Sequence, residues 1–150
     1  MQFVIKKFTE LNTEELYNIL ALRSEIFVVE QQCIYQDLDQ KDKEGHHIIG
    51  IEEEEIAGYA RVLSPGSIYP AHTAIGRVLV SERHRKKNYG YLVMEQAIEL
   101  CQKQYPTFPI KISAQSHLDR FYSNLKFRAT GKRYLEDGIP HQEMIYSPSL

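Results

Sequence analysis

The stretch of residues 75–94, IGRVLVSERHRKKNYGYLVM, carries the strongest structural signal in the chain. An apolar run at residues 78–80 leads through a basic segment, residues 83–87, to the start of a helical pattern after Gly90. A strand that feeds a helix in this way presents unpaired backbone N–H groups at the positive end of the helix dipole, which favours phosphate. Asn88 and Gly90 are residue types that tolerate the left-handed backbone such a loop can need. A solvated basic loop before a core helix would give the same pattern, and neither GxGxxG nor GxxxxGK[ST] is present.

Apolar spacing and turn residues predict the remaining elements. A capping box formed by Asn12 and Glu15 should open the first helix. In the first half of the chain we expect a strand at 2–8, that helix, a polar loop at 31–44 and strands at 47–51, 55–63 and 73–80. The second half should contain the helix that Pro106 ends, a strand at 109–114 and a short helix that the capping-box pattern Ser116-x-x-Asp119 opens. Closing strands are expected at 127–134 and 143–146, around a turn at 136–138. This order predicts a mixed α/β sheet with helices on its faces.

Length and composition suit a single soluble globular domain over residues 1–150. The chain has 43% hydrophobic residues and a formal net charge of −2, which argues against a dedicated nucleic-acid or anionic-membrane binder. The sequence lacks an apolar run of the roughly 20 residues needed to span a bilayer and a secretory leader pattern, so a cytoplasmic location is expected. Cys33 and Cys101 form no CxxC motif, and we predict no metal site.

Two motifs resemble the GNAT acetyltransferase superfamily. Arg85-x-x-Asn88-x-Gly90 follows the family frame [Q/R]-x-x-G-x-[G/A], with Asn88 in place of the first glycine. Downstream, residues 121–127, FYSNLKF, follow F-Y-x-x-x-G-F with Lys126 in place of glycine. Segments at 22–23, 27–31, 35–39, 76–78, 114–118 and 136–141 resemble the ElaA-type subfamily. The likeness covers essentially the whole chain.

The resemblance implies a GNAT-like acyl-CoA N-acyltransferase fold. Its central sheet would be mostly antiparallel, with a parallel pair, strands 73–80 and 109–114, that splays apart to admit the pantetheine of acetyl-CoA as co-substrate. Backbone groups of Val78 and Val80 would bond the pantetheine amides, and N–H groups of residues 85–91 would hold the pyrophosphate. The expected cofactor-binding residues are Val78, Leu79, Val80, Arg85, Lys86, Lys87, Asn88, Tyr89, Gly90 and Tyr91, and Arg83 would add positive charge.

The same resemblance places Tyr122 at the position of the general acid for the departing thiolate. A phenol is an uphill donor to a thiolate, so Tyr122 would either transfer its proton or only hydrogen-bond the sulfur. A packing role is the alternative, because Tyr122 falls on an apolar helix stripe. The candidates for the proton acceptor are, in order, Glu30, His117 and His141, with a structural role as the alternative for each.

Arg23 and Gln31 are the expected acceptor-pocket residues. The acidic loop carrying Asp37, Asp39 and Asp42 would either attract a cationic amine or simply be solvated. The resulting hypothesis is an N-acetyltransferase that passes the acetyl group of acetyl-CoA to a primary amine, on a small molecule or a peptide, by direct attack in a ternary complex. The alternative is a non-catalytic acyl-CoA-binding or regulatory module. A homodimer stays open.

Overall fold

The computed structural model describes residues 1–148, which form a seven-stranded sheet of order β1-β2-β3-β4-β5-β7-β6. The strands are β1 (Gln2–Lys7), β2 (His46–Glu52), β3 (Glu55–Leu63), β4 (Thr73–Val80), β5 (Ile110–Gln115), β6 (Arg128–Glu136) and β7 (Ile139–Tyr146). The α-helices are α1 (Thr13–Arg23), α2 (Tyr89–Gln104) and α3 (Asp119–Asn124). The expected mixed sheet is confirmed.

The centre of the sheet contains a parallel pair that separates soon after it begins. Over the described residues, the register of β4 with β5 consists of Thr73 with Ile110 and Ala74 with Lys111, whereas the neighbouring pairs are antiparallel. The register of β4 with β3 also shifts between Gly76 and Leu79, and Arg77 within this bulge has a φ of 53°. A bulge bends its strand and increases the local twist. The predicted splayed pair is therefore confirmed, and the bulge lies where the strands part.

Alternate residues of the central strands pack on opposite faces of the sheet, as the two-residue side-chain period of a strand requires. Helix α2 covers one face, where its apolar side packs against Ile48, Ala60 and Val62. The other face holds a smaller core containing Ile49, Tyr59 and Leu79, covered by α1 and the turn that follows it. Helices thus lie on both faces, as expected, and the cleft between β4 and β5 opens at the edge of both cores.

The first helix begins as predicted and ends differently. Asn12 Oδ1 accepts from the Glu15 N–H at 2.7 Å and Glu15 Oε1 accepts from the Asn12 N–H at 2.9 Å, so the capping box is confirmed. After α1 the chain continues as a π-helix, Ser24–Glu30, with hydrogen bonds such as Cys33 N–H to Val28 O at 3.1 Å. Such π-turns are rare and are often found at functional sites.

Two boundary predictions are wrong. The N-cap residue of α3 is Leu118, which makes no side-chain capping bond, and Asp119 accepts a hydrogen bond from Gln142 Nε2 at 2.7 Å rather than closing a capping box with Ser116. Strand β7 begins at Ile139 rather than at residue 143. The turn before it was predicted, and its two residues Asp137 and Gly138 have φ values of 51° and 78°. A two-residue turn of this kind keeps the hairpin paired up to its end.

Candidate active site

A cleft of about 720 Å³ lies where β4 and β5 diverge. Val78 and Val80 of β4 form one wall, Ser113 and Gln115 of β5 form another, and Tyr122 of α3 closes one side. The same cleft is lined by Ile26, Phe27, Glu30, Gln31, Cys33, Tyr35, Arg77, Leu79, Arg85, His117, Leu118, Glu136, Asp137, Ile139 and His141, among others. The fold thus brings together Tyr122, Gln31, Arg85 and all three candidate proton acceptors, from segments far apart in sequence.

Tyr122 is held by aromatic neighbours and is 8% exposed. Its ring meets Phe121 and Phe127 edge to face, with centroids 4.9 and 5.9 Å away. Burial raises the pKa of Tyr122 to about 12, so the phenol stays protonated at neutral pH. The ring belongs to the core and the residue also lines the cleft, so packing leaves room for a polar role.

The loop before α2 has the left-handed backbone that was anticipated, in part at other positions. Asn88 has a φ of 62° and directly precedes the helix, as expected of an asparagine in this frame. Lys86 also has a positive φ, 67°, which the sequence did not indicate. Gly90 lies in helical conformation instead, and a Cβ there would come within 3.2 Å of the Phe121 ring. Close packing between α2 and α3, rather than backbone freedom, is what favours glycine at this position.

Ion pairs engage both arginines of the basic loop. Arg83 Nη1 lies 2.8 Å from Glu55 Oε2, and neither residue is among those that line the cleft. Arg85 forms a fork with Glu30, its Nη1 and Nη2 lying 2.6 and 2.9 Å from the two carboxylate oxygens. Hydrogen bonds from Arg85 lower the pKa of Glu30. That direction disfavours Glu30 as a proton acceptor, because a general base works best with a pKa near the operating pH.

The two histidine candidates occupy different surroundings. His117 lies exposed on the short turn after β5, at the rim of the cleft. His141 is 7% exposed, and its ring stacks on Tyr134. Its Nδ1 lies 2.7 Å from the Ile139 carbonyl oxygen and its Nε2 lies 3.2 Å from Glu136 Oε2. Since a carbonyl only accepts, the first contact places a proton on Nδ1 and leaves Nε2 beside Glu136.

Arg23 does not line the cleft, which corrects its assignment to the acceptor pocket. It is 0% exposed, with Nε 2.9 Å from Asp37 Oδ2 and Nη1 2.6 Å from Asp42 Oδ1. Arg61 reaches Asp39 and Asp42 at 2.8 and 2.9 Å from the same face of the sheet. A charged side chain inside a protein needs a partner, and the loop at 31–44 supplies these carboxylates.

The aspartates of the acidic loop are therefore neither simply solvated nor free to attract a cationic amine, because each already pairs with arginine. Arg77 completes the set, with Nε 2.7 Å from Asp37 Oδ1 and Nη2 donating to the Asp37 carbonyl at 2.8 Å. Three arginines and three aspartates thus form what we call the buried charge cluster; Arg77 and Asp39 lie at its partly exposed edge, and the other four members are buried. Its members are Arg23, Arg61, Arg77, Asp37, Asp39 and Asp42. It anchors the loop on which Gln31, Cys33 and Tyr35 form one cleft wall. The available signals were Arg61 and Arg77, each a charged residue within an otherwise apolar strand.

Two further properties concern the described residues 1–148. None of their helices combines the length and the apolar character that crossing a membrane requires. Within the same residues, no three or more His, Cys, Asp or Glu side chains converge in a way that would hold a metal ion.

Known proteins match this fold over nearly its full length. The profile of the acetyltransferase (GNAT) domain family matches residues 10–148. The ElaA protein of Escherichia coli is 42% identical over 136 residues, 89% of this chain and 88% of that protein. A crystal structure of an acyl-CoA N-acyltransferase from Pseudomonas aeruginosa superposes with a TM-score of 0.91 at 35% identity, covering 98% of this chain and 100% of the other. An aminoglycoside 6'-N-acetyltransferase solved with coenzyme A shares the fold at a TM-score of 0.70 and 14% identity, covering 96% of each chain. The chain belongs to the GNAT acetyltransferase family.

Proposed function

We propose that this protein is an N-acetyltransferase that transfers the acetyl group of acetyl-CoA directly to a primary amine. The observation that carries the proposal is the cleft between β4 and β5, which has unpaired strand backbone on one side and Tyr122 on the other. A small-molecule or peptide amine acceptor, a cytoplasmic location and a reaction without a metal are parts of the same proposal.

The cofactor side of the cleft runs along β4 to the basic loop. Val78, Leu79 and Val80 offer strand backbone to the pantetheine amides, and the N–H groups of residues 85–91 offer donors at the start of α2. The residue types fit a phosphate ester, because Asn88 turns the chain directly into the helix N-terminus and Arg85, Lys86 and Lys87 supply positive charge. Bound there, acetyl-CoA supplies the activated thioester.

Tyr122 acts as a hydrogen-bond donor to the departing sulfur. Complete proton transfer from a phenol of pKa about 12 to a thiolate of pKa about 8.5 would be uphill by about 5 kcal/mol. A donor that only hydrogen-bonds the developing negative charge avoids this cost and still favours the transition state. A backbone N–H of the strand at Val78–Val80 is the natural donor for the oxyanion on the acetyl carbonyl.

His141 is the proton acceptor that the geometry favours. Its Nδ1–H is fixed on the Ile139 carbonyl, which leaves Nε2 to receive a proton from the attacking amine through the cleft. The carboxylate of Glu136, 3.2 Å away, accepts the N–H that Nε2 gains. His117, exposed at the rim, is the second candidate.

The decisive experiment combines binding with turnover. Calorimetric titration should give micromolar binding of acetyl-CoA that CoA competes away. Release of CoA thiol should then appear with at least one member of a panel of primary amines, namely butylamine, spermidine, lysine and a peptide with a free amino terminus. Tyr122→Phe should lower kcat about 100-fold, because one donor to the developing negative charge is lost, while leaving the Kd of acetyl-CoA unchanged.

Tyr146→Phe is the matched control, because it also removes a phenol hydroxyl from the fold, one that accepts from Gln102 Nε2 at 3.0 Å outside the cleft. It should leave kcat within twofold of the wild-type value. Absence of acetyl-CoA binding would overturn the proposal. Binding without turnover of any amine would replace it with the non-catalytic acyl-CoA-binding module.

A further inference from the structure

Glu30 and Arg85 join two walls of the cleft that are 55 residues apart in sequence. Glu30 ends the π-helix, and Arg85 lies in the loop before α2. Both side chains are partly exposed, at 41% and 38%, and both residues line the cleft. The fork between them is a contact that water and other ions can reach.

The guanidinium of Arg85 has a third contact. Its Nε donates to the Val80 carbonyl oxygen at 3.2 Å, at the strand end assigned to pantetheine in the proposed function. Arg85 therefore spans the part of the cleft where the backbone of β4 meets the basic loop. A phosphate group of CoA that binds the two terminal nitrogens of Arg85 in the same bidentate way must displace Glu30 from them.

The exchange is energetically modest. Exposed ion pairs contribute little to stability, and a phosphate offers the same bidentate geometry as a carboxylate. A carboxylate that gives up its guanidinium remains on the cleft wall, at the end of the helix that leads into Gln31. A primary ammonium is the counterion that the proposed reaction brings to that wall.

We propose that Glu30 is a cofactor-gated acceptor ligand: it exchanges Arg85 for the ammonium group of the acceptor when a phosphate group of CoA binds Arg85. This inference rests on the proposed function. It makes Glu30 a specificity-determining residue rather than a base, and it predicts that CoA and the amine bind with positive coupling, which is reciprocal between the two sites.

Glu30→Gln tests the exchange, because it removes the competing charge. In calorimetric titrations with CoA, this variant should bind CoA about two- to fivefold more tightly than the wild type. At saturating acetyl-CoA, its KM for the panel amine with the fastest turnover should rise about tenfold, because a charge-assisted hydrogen bond is lost. The two shifts have opposite signs, which a general loss of structure would not produce.

Glu14→Gln is the matched control, since it removes the same charge from an exposed position of α1 outside the residues that line the cleft. Its effects on CoA affinity and on KM should each be below 1.5-fold. Glu30→Asp keeps the charge but has a side chain shorter by one methylene group, so it should tighten CoA binding less than Glu30→Gln does and retain most of the amine affinity. It serves as the test if Glu30→Gln does not fold.

Equal or weaker CoA binding by Glu30→Gln would overturn the exchange. Tighter CoA binding with an unchanged amine KM would overturn the assignment of Glu30 to the acceptor. A wild-type protein that binds no CoA is a different result, which would overturn the proposed function and this inference together.

Discussion

Arginine meets carboxylate in two regions of this molecule, and the regions differ in how much water reaches them. In the buried charge cluster, Arg23 and Arg61 are 0% and 2% exposed and contact aspartates of the loop at 31–44. In the basic loop before α2, Arg83 and its partner Glu55 are 71% and 51% exposed. Buried charges are costly without their partners, whereas exposed ones exchange partners cheaply. The first region therefore fixes a cleft wall, and the second is free to take part in ligand exchange.

The largest effect expected from this difference is on stability. Arg23→Met should lower the free energy of unfolding by about 3 kcal/mol, at the low end of the cost of breaking a buried pair. The low end applies because, without Arg23, Asp37 still pairs with Arg77 and Asp42 still pairs with Arg61. Urea denaturation measures the loss.

Arg128→Met, on an exposed position of β6, is the matched control for the same substitution and should cost less than 0.5 kcal/mol. A loss below about 1 kcal/mol for Arg23→Met would mean that burial does not distinguish the two regions.

The second-largest effect should be a loss of stability of the buried charge cluster in acid. Desolvation works to raise the pKa of Asp39, but hydrogen bonds and charge from Arg61 outweigh it and bring the pKa to about 2 from an ordinary 3.8. The pKa of Asp42 is also lowered, since the bonds from Arg23 and Arg61 outweigh its burial. For an acid with a lowered pKa in the folded state, the stabilisation is complete above the unfolded value and lost below it. The free energy of unfolding should therefore fall steeply between pH 4 and pH 2.

Asp39→Asn gives that prediction its control. The variant should be less stable than the wild type at pH 7, and its loss of stability between pH 4 and pH 2 should be smaller, because one titrating carboxyl is gone. Urea midpoints across this range provide the measurement. Parallel pH profiles for the two proteins would show that Asp39 contributes nothing to acid sensitivity.

The same two regions mark how far the sequence can be interpreted. The strand, basic loop and helix of residues 75–94 were predictable because their signals are local: apolar spacing, a turn asparagine and a helix that follows within a few residues. The buried charge cluster was not, because its partners lie 14 to 40 residues apart. Aspartates at positions 37, 39 and 42 look the same in sequence whether they face water or an arginine. Arg23, which the resemblance assigned to the acceptor pocket, pairs with two of these aspartates instead.

The candidate active site shows the same limit of sequence-based prediction. Tyr122, Gln31 and the three proton-acceptor candidates were identified through family motifs, and the fold brings them to one cleft. The motifs did not identify which of these residues pair with each other. The fork between Glu30 and Arg85 and the contact between His141 and Glu136 depend on side-chain geometry. A motif identifies the positions that line a site, and packing decides which charge meets which.

The smallest expected effect belongs to the exposed region. A double-mutant cycle with Arg83→Met and Glu55→Gln should give a coupling energy below about 0.5 kcal/mol in the free energy of unfolding, because water screens the pair and both side chains lose freedom in forming it. Raising the salt concentration from 0.1 to 1 M, which shortens the Debye length from about 10 to 3 Å, should reduce the coupling further. Coupling above 1.5 kcal/mol that persists in salt would place this pair energetically with the buried cluster. Exposed fraction would then fail as the property that separates a structural ion pair from an exchangeable one, and the exchange proposed for Glu30 would lose its energetic basis.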